Sequence, residues 1–102
     1  MVSLEETEAE AAAVQKTPNR VTLASINAAI DNIEYVHPKG HPHATVAFVT
    51  MDNGYLVIGM SAPADPGNFD VELGEKFALE DAIRKIWPLE GYLLREKLHR
   101  GD

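Results

Sequence analysis

Three histidines lie within seven residues: His37, His41 and His43. Imidazole is a common metal ligand, and one loop could converge three of them on zinc, manganese or nickel. But the segment His37-Pro38-Lys39-Gly40-His41-Pro42-His43 holds two prolines and a glycine. That composition makes a loop, not the helical i, i+4 frame of metal-binding histidine pairs. The chain has no cysteine, so thiolate zinc sites, disulfides and a cysteine nucleophile are excluded. The three histidines are weak metal candidates, and the expectation is an exposed polar turn with no metal. His99 belongs at the end of a helix, where it suits the dipole.

Asp65 and Asp70 flank Asn68-Phe69. A carboxylate pair can exchange a proton or hold a cation. Each also has an ordinary role: Asp65-Pro66 opens a turn, and Asp70 or Asn68 caps a helix. Phe69 then reads as a hydrophobic staple. Of the serines, Ser3, Ser25 and Ser61, none sits in Gly-x-Ser-x-Gly, and no phosphate loop or Gly-x-Gly-x-x-Gly occurs. The expectation is a protein that is not an enzyme and uses no cofactor. Free amides at the helix start near residue 70 suit an anion. There Asp70, Glu72 and Glu75 already load that end with negative charge. An anion would need Lys85, Arg95 or a second subunit.

The elements that position these residues follow from periodicity. Thr22 reads as an N-cap, and Leu23, Ile26, Ile30 and Ile33 recur at helical spacing, so the spacing predicts a helix over about 22–33. Glu34-Tyr35-Val36 reads as a short strand. Residues 44–51 and 55–61 read as two strands joined at Asn53-Gly54, a type I′ hairpin signal. Leu56 and Ile58 share one face; Tyr55, Val57 and Gly59 share the other. Both faces are apolar, so the hairpin is expected to be covered on both sides, by a helix and by another subunit. A long helix starts near residue 70. Its row Val71, Gly74, Ala78, Ala82 permits close approach to the sheet, beside Leu79, Ile83 and Ile86. Pro88 is expected to end or kink it, with a last short helix over about 89–98. Trp87 reads as core.

The chain is 102 residues with a net charge of -7, one domain in size. Residues 1–13 hold four glutamates and no cation. Residues 1–16 read as an acidic N-terminal arm, solvated or ordered by a partner subunit. Residues 17–102 read as a single α+β domain: a central antiparallel hairpin packed by an N-terminal helix and a long C-terminal helix. The charge argues against a DNA or RNA polymer as partner. No apolar run reaches membrane length, and nothing resembles a secretory signal. A cytoplasmic location and no membrane partner are expected.

Read in order, Asn53-Gly54-Tyr55, Gly59-Met60-Ser61, Asp65-Pro66-Gly67-Asn68-Phe69-Asp70, Ala82 and Lys85-Ile86-Trp87-Pro88-Leu89-Glu90-Gly91-Tyr92 form a pattern. Together with Val21-Thr22 it resembles the small tailed-phage accessory family named after coliphage N-four gene product forty-nine and phage Sf-six gene sixty-six. The resemblance covers roughly residues 20–98. The histidine loop and the acidic arm lie outside its pattern. It implies a phage or prophage origin and action in the cytoplasm of the bacterial host, with no established enzymatic activity.

Two functions fit a phage protein of this size without catalytic residues. One is a homo-oligomeric sponge, dimer or tetramer, that sequesters a nucleotide immune signal such as a cyclic oligonucleotide or an ADP-ribose-type molecule. Phe69 and Tyr92 would stack the base, and Ser61, Asn68 and Lys85 would bond its polar edges or phosphates. The other is a factor that binds and inhibits or redirects a host protein, with the acidic arm as an interaction element. A metal enzyme or hydrolase built on His37, His41 and His43 is the third, and least favoured, class.

Overall fold

The computed structural model describes residues 3–101; Met1, Val2 and Asp102 lie outside the described residues. Ser3 caps α1 (Leu4–Ala13) by accepting the Glu6 amide. Leu4 is buried in the core, and the Glu8 carboxylate accepts the Leu23 amide and pairs with Arg20. Thr22 and Ser25 form a reciprocal capping box at the start of α2 (Leu23–Ala28).

That helix is shorter than its periodicity predicts. The chain turns into β1 (Ile30–Val36), which pairs antiparallel with β2 (Thr45–Met51); β2 pairs antiparallel with β3 (Leu56–Ser61), in the order β1-β2-β3. The reason is a register irregularity between Ile30 and Asn32. It leaves Asp31 as an extra residue, so Ile30 and Ile33 point to the same face although three positions apart. A bulged strand thus imitates helical spacing.

The hairpin between β2 and β3 is a three-residue loop, Asp52-Asn53-Gly54. Gly54 alone has a positive φ, 87°, its amide bonds the Met51 carbonyl and the Met51 amide bonds the Tyr55 carbonyl. This is not the two-residue type I′ turn expected, which requires positive φ at Asn53 as well. Asn53 instead accepts the Tyr55 amide through its side chain, at 3.0 Å.

Beyond a short 3-10 turn (Pro66–Asn68), Asp70 caps α3 (Val71–Arg100), and Gly101 ends it in the left-handed region at φ 77°. α3 runs through Pro88 as one 30-residue helix, so the proline does not end it and the separate short helix expected over about 89–98 is its continuation. Proline removes one intrahelical bond, to the Arg84 carbonyl, and the regular turns on both sides carry the helix across it.

The result is α+β with two layers. Thr45, Ala47, Val49, Met51, Val57 and Gly59 face α3, where Ala78, Ala82, Ile83 and Ile86 are buried, and Ile26 closes one end. Small residues allow this approach: a β-carbon on Gly74 would stand 2.6 Å from Thr45 Oγ1. The opposite face carries Val46 and Phe48, half-buried, with Leu56, Ile58 and Met60 exposed. One of the two expected covers is thus α3; within the single chain the second face is open.

Candidate functional site

Ser61, Asn68 and Phe69 converge. Ser61 ends β3, and the loop through the 3-10 turn returns Asn68 and Phe69 to the start of α3. With His43, Pro63, Asp70, Leu73, Gly74 and Phe77 they line a cleft of about 230 Å³. Two caps hold its wall. Asp65 Oδ1 accepts the Gly67 amide at 2.9 Å, and Asp70 Oδ1 accepts the Leu73 amide at 2.9 Å. Both carboxylates have the ordinary roles their sequence contexts offer. Phe69 lies over Gly74, whose β-carbon would meet its Cε1 at 3.6 Å, so the staple position is filled by backbone rather than by a side chain.

The histidine loop folds onto the same ring. His37 and His43 meet Phe69 edge-on, with ring centroids 6.0 and 5.4 Å away. His37 Nδ1 lies 3.3 Å from the Ala44 carbonyl oxygen and 3.4 Å from Thr45 Oγ1, and its Nε2 lies 3.6 Å from Glu75 Oε2. These contacts use His37 for packing and hydrogen bonding. Among the described residues, no three His, Asp or Glu side chains are placed to hold a metal ion.

Lys85 and Tyr92 lie elsewhere. Lys85 Nζ donates to the Ile58 carbonyl at 2.8 Å and stands 3.3 Å from Asp81 Oδ2, while Asp81 Oδ2 accepts the Met60 amide at 3.0 Å. The pair occupies outward-facing backbone groups of β3, an edge that would otherwise be open to another strand. Tyr92 lines a second, larger cleft of about 530 Å³ at the hairpin end, with Met51, Asp52, Tyr55, Ile86, Leu89, Glu90 and Leu93.

Sequence reasoning missed this second cleft. Its signal was present: Leu89 and Leu93 continue the row Ala82–Ile86 at spacings of 3 and 4. The expected helix break at Pro88 hid that continuity.

Chemically, the smaller cleft offers an aromatic ring, a hydroxyl and a carboxamide, with the Asp70 carboxylate at its edge and no lysine or arginine in its wall. An adjoining groove shares Ser61 and Phe77 and places Arg84 beside Glu80 and Asp81. Both surfaces are of mixed polarity. Among the described residues no helix is long and apolar enough to cross a membrane.

No curated protein and no solved structure matches the chain. Residues 21–98 match a phage family, the part that carries both clefts, the sheet and nearly all of α3, and the chain belongs to the phage protein (N4 Gp49/phage Sf6 gene 66) family.

Proposed function

We propose that this phage protein is a non-catalytic binding module that works in the cytoplasm of its bacterial host as a homo-oligomer and sequesters a nucleotide signal. The observation that carries this reading is the convergence of Ser61, Asn68 and Phe69 on one cleft. An aromatic face stacks any base, and a hydroxyl and a carboxamide read its polar edge. The cleft suits the base end of the ligand. Its wall has no lysine or arginine for phosphate; the adjoining groove, which shares Ser61 and Phe77, carries Arg84.

Thermal unfolding against cyclic dinucleotides, cyclic trinucleotides and ADP-ribose derivatives tests this. A ligand at a hundred times its Kd stabilises by about 2.7 kcal/mol, and each kcal/mol moves Tm by roughly 4–8 °C in a domain of this size. One signal should raise Tm and be recovered intact. Phe69→Ala should abolish the shift, whereas Lys85→Ala, at the β3 edge, should keep it. A cleaved ligand would make the protein an enzyme. No shift across the panel would sink the nucleotide reading.

A second reading has its own support. The open face of the sheet presents Leu56, Ile58 and Met60, and contiguous exposed apolar surface marks protein interfaces. A host protein inhibited or redirected through this face would lose binding to Ile58→Lys but not to Phe69→Ala, the reverse of the nucleotide pattern.

A further inference from the structure

We infer that the C-terminal half of α3 is a self-association element: two copies pair their helices antiparallel, each tail lying over the larger cleft of the other. The inference goes beyond the ligand reading and holds whether the ligand is a nucleotide or a protein.

The first ground is length. A 30-residue helix is about 45 Å long, whereas a seven-residue strand spans about 23 Å. The helix therefore outruns the sheet it packs on. Its buried row, Ala82 and Ile86, continues as Leu89 and Leu93, which are 42% and 56% exposed. An apolar row that stays apolar after its cover ends is a row built for another cover.

The second ground is area. A compact monomer of this mass exposes roughly 5,700 Å². This chain exposes 7032 Å², an excess of roughly 1,300 Å² over that scaling. A stable interface takes about 800 Å² from each partner. The radius of gyration agrees: 15.7 Å, against roughly 13 Å for a compact chain of this length.

The third ground selects a second copy over another partner. The cleft is apolar at its floor (Met51, Ile86, Leu89) and acidic at Asp52 and Glu90. On the face that Leu89 and Leu93 present, the tail beyond it carries the basic Lys97 and Arg100, with Glu96 beside them. A crossing near Leu93 lays the basic end of each helix over the acidic part of the other cleft. The two surfaces of one chain are complementary, as a two-fold, isologous contact requires.

Sedimentation of the full chain tests the pairing. Wild type should run at twice its 11.2 kDa, and Leu93→Glu at the single-chain mass with its helical circular dichroism intact, because Leu93 is exposed in the single chain. Ile58→Glu, on the sheet face, should remain dimeric. Since the chain has no cysteine, Leu93→Cys gives a single thiol near the two-fold. It should form a covalent dimer under mild oxidation, whereas Ile58→Cys should not. A wild-type monomer, or a dimer that dissociates with Ile58→Glu and survives Leu93→Glu, would overturn the inference. A wild-type monomer that still binds a nucleotide would sink the pairing and leave the ligand reading standing.

Discussion

Gly59 lies so close to Ala78 that a β-carbon on the glycine would stand 2.1 Å from the Ala78 carbonyl oxygen, and 2.5 Å from the Ala82 amide nitrogen. Both obstacles are helix backbone and cannot rotate away. Gly59→Ala must therefore push α3 off β3, the contact on which the two-layer core rests. The expected cost is about 2–3 kcal/mol, at the upper end of overpacking, read as a fall in the urea midpoint with an unchanged slope. Gly91 is the control. A β-carbon there meets nothing within 4 Å, and Gly91→Ala should stabilise by about 1 kcal/mol through helix propensity alone.

Asp81 and Lys85 guard the β3 edge from the same helix. Their bonds to the Met60 amide and the Ile58 carbonyl are solvent-accessible, so Asp81→Ala should cost less than about 1 kcal/mol globally. The local effect should be larger. Hydrogen exchange at the Met60 amide should quicken about tenfold as its acceptor is lost. Unchanged exchange at Met60 would show that the carboxylate does not protect the edge.

The sequence made much of this legible, and the failures have physical causes. Thr22, Asp70 and the strand alternation from Thr45 to Ser61 were readable because caps and period-two patterns are local. The close approach of Ala78 and Ala82 to the sheet was readable from the small-residue row; Gly59 as the point of contact was not. The helix over residues 22–33 was misread because a bulge at Asp31 gives strand residues Ile30 and Ile33 a helical interval. The separate last helix after Pro88 was misread because one missing hydrogen bond is a smaller effect than continuous turns on either side. Three of the five binding candidates meet, because Ser61, Asn68 and Phe69 are joined by one short loop. Lys85 and Tyr92 share a helix with that site but face other surfaces, and helix phase depends on where the sheet lies.

Glu8 links α1 to α2. The Leu23 amide donates to its carboxylate, and this outweighs partial desolvation; the Arg20 guanidinium adds to it, holding the carboxyl below its ordinary 4.5. The folded state thus binds its proton more weakly than the unfolded chain. This contribution to stability is present above the ordinary carboxylate range and lost as pH falls through the lowered folded value. Glu8→Gln should lower Tm at pH 7 and remove part of the sensitivity to acid below the ordinary carboxylate value of 4.5. An identical Tm–pH curve for both proteins would show that the contact contributes nothing.

Tyr35 responds at the other end of the scale. It sits on the helix-facing side of β1, opposite Ala47. Burial raises its phenol above 10.0, and the Glu75 carboxylate adds to the shift by repelling a phenolate. Here the folded state holds the proton more tightly, so stability is full below pH 10 and declines as pH rises from 10 toward the raised value. Two variants separate the causes. Tyr35→Phe should flatten the alkaline decline. Glu75→Gln should lower the Tyr35 midpoint without returning it to 10, because burial remains the larger cause. Phenolate absorbance, taken as the difference between each protein and its Tyr35→Phe counterpart, reads the midpoint directly. A midpoint unmoved by Glu75→Gln would leave desolvation as the whole origin of the shift.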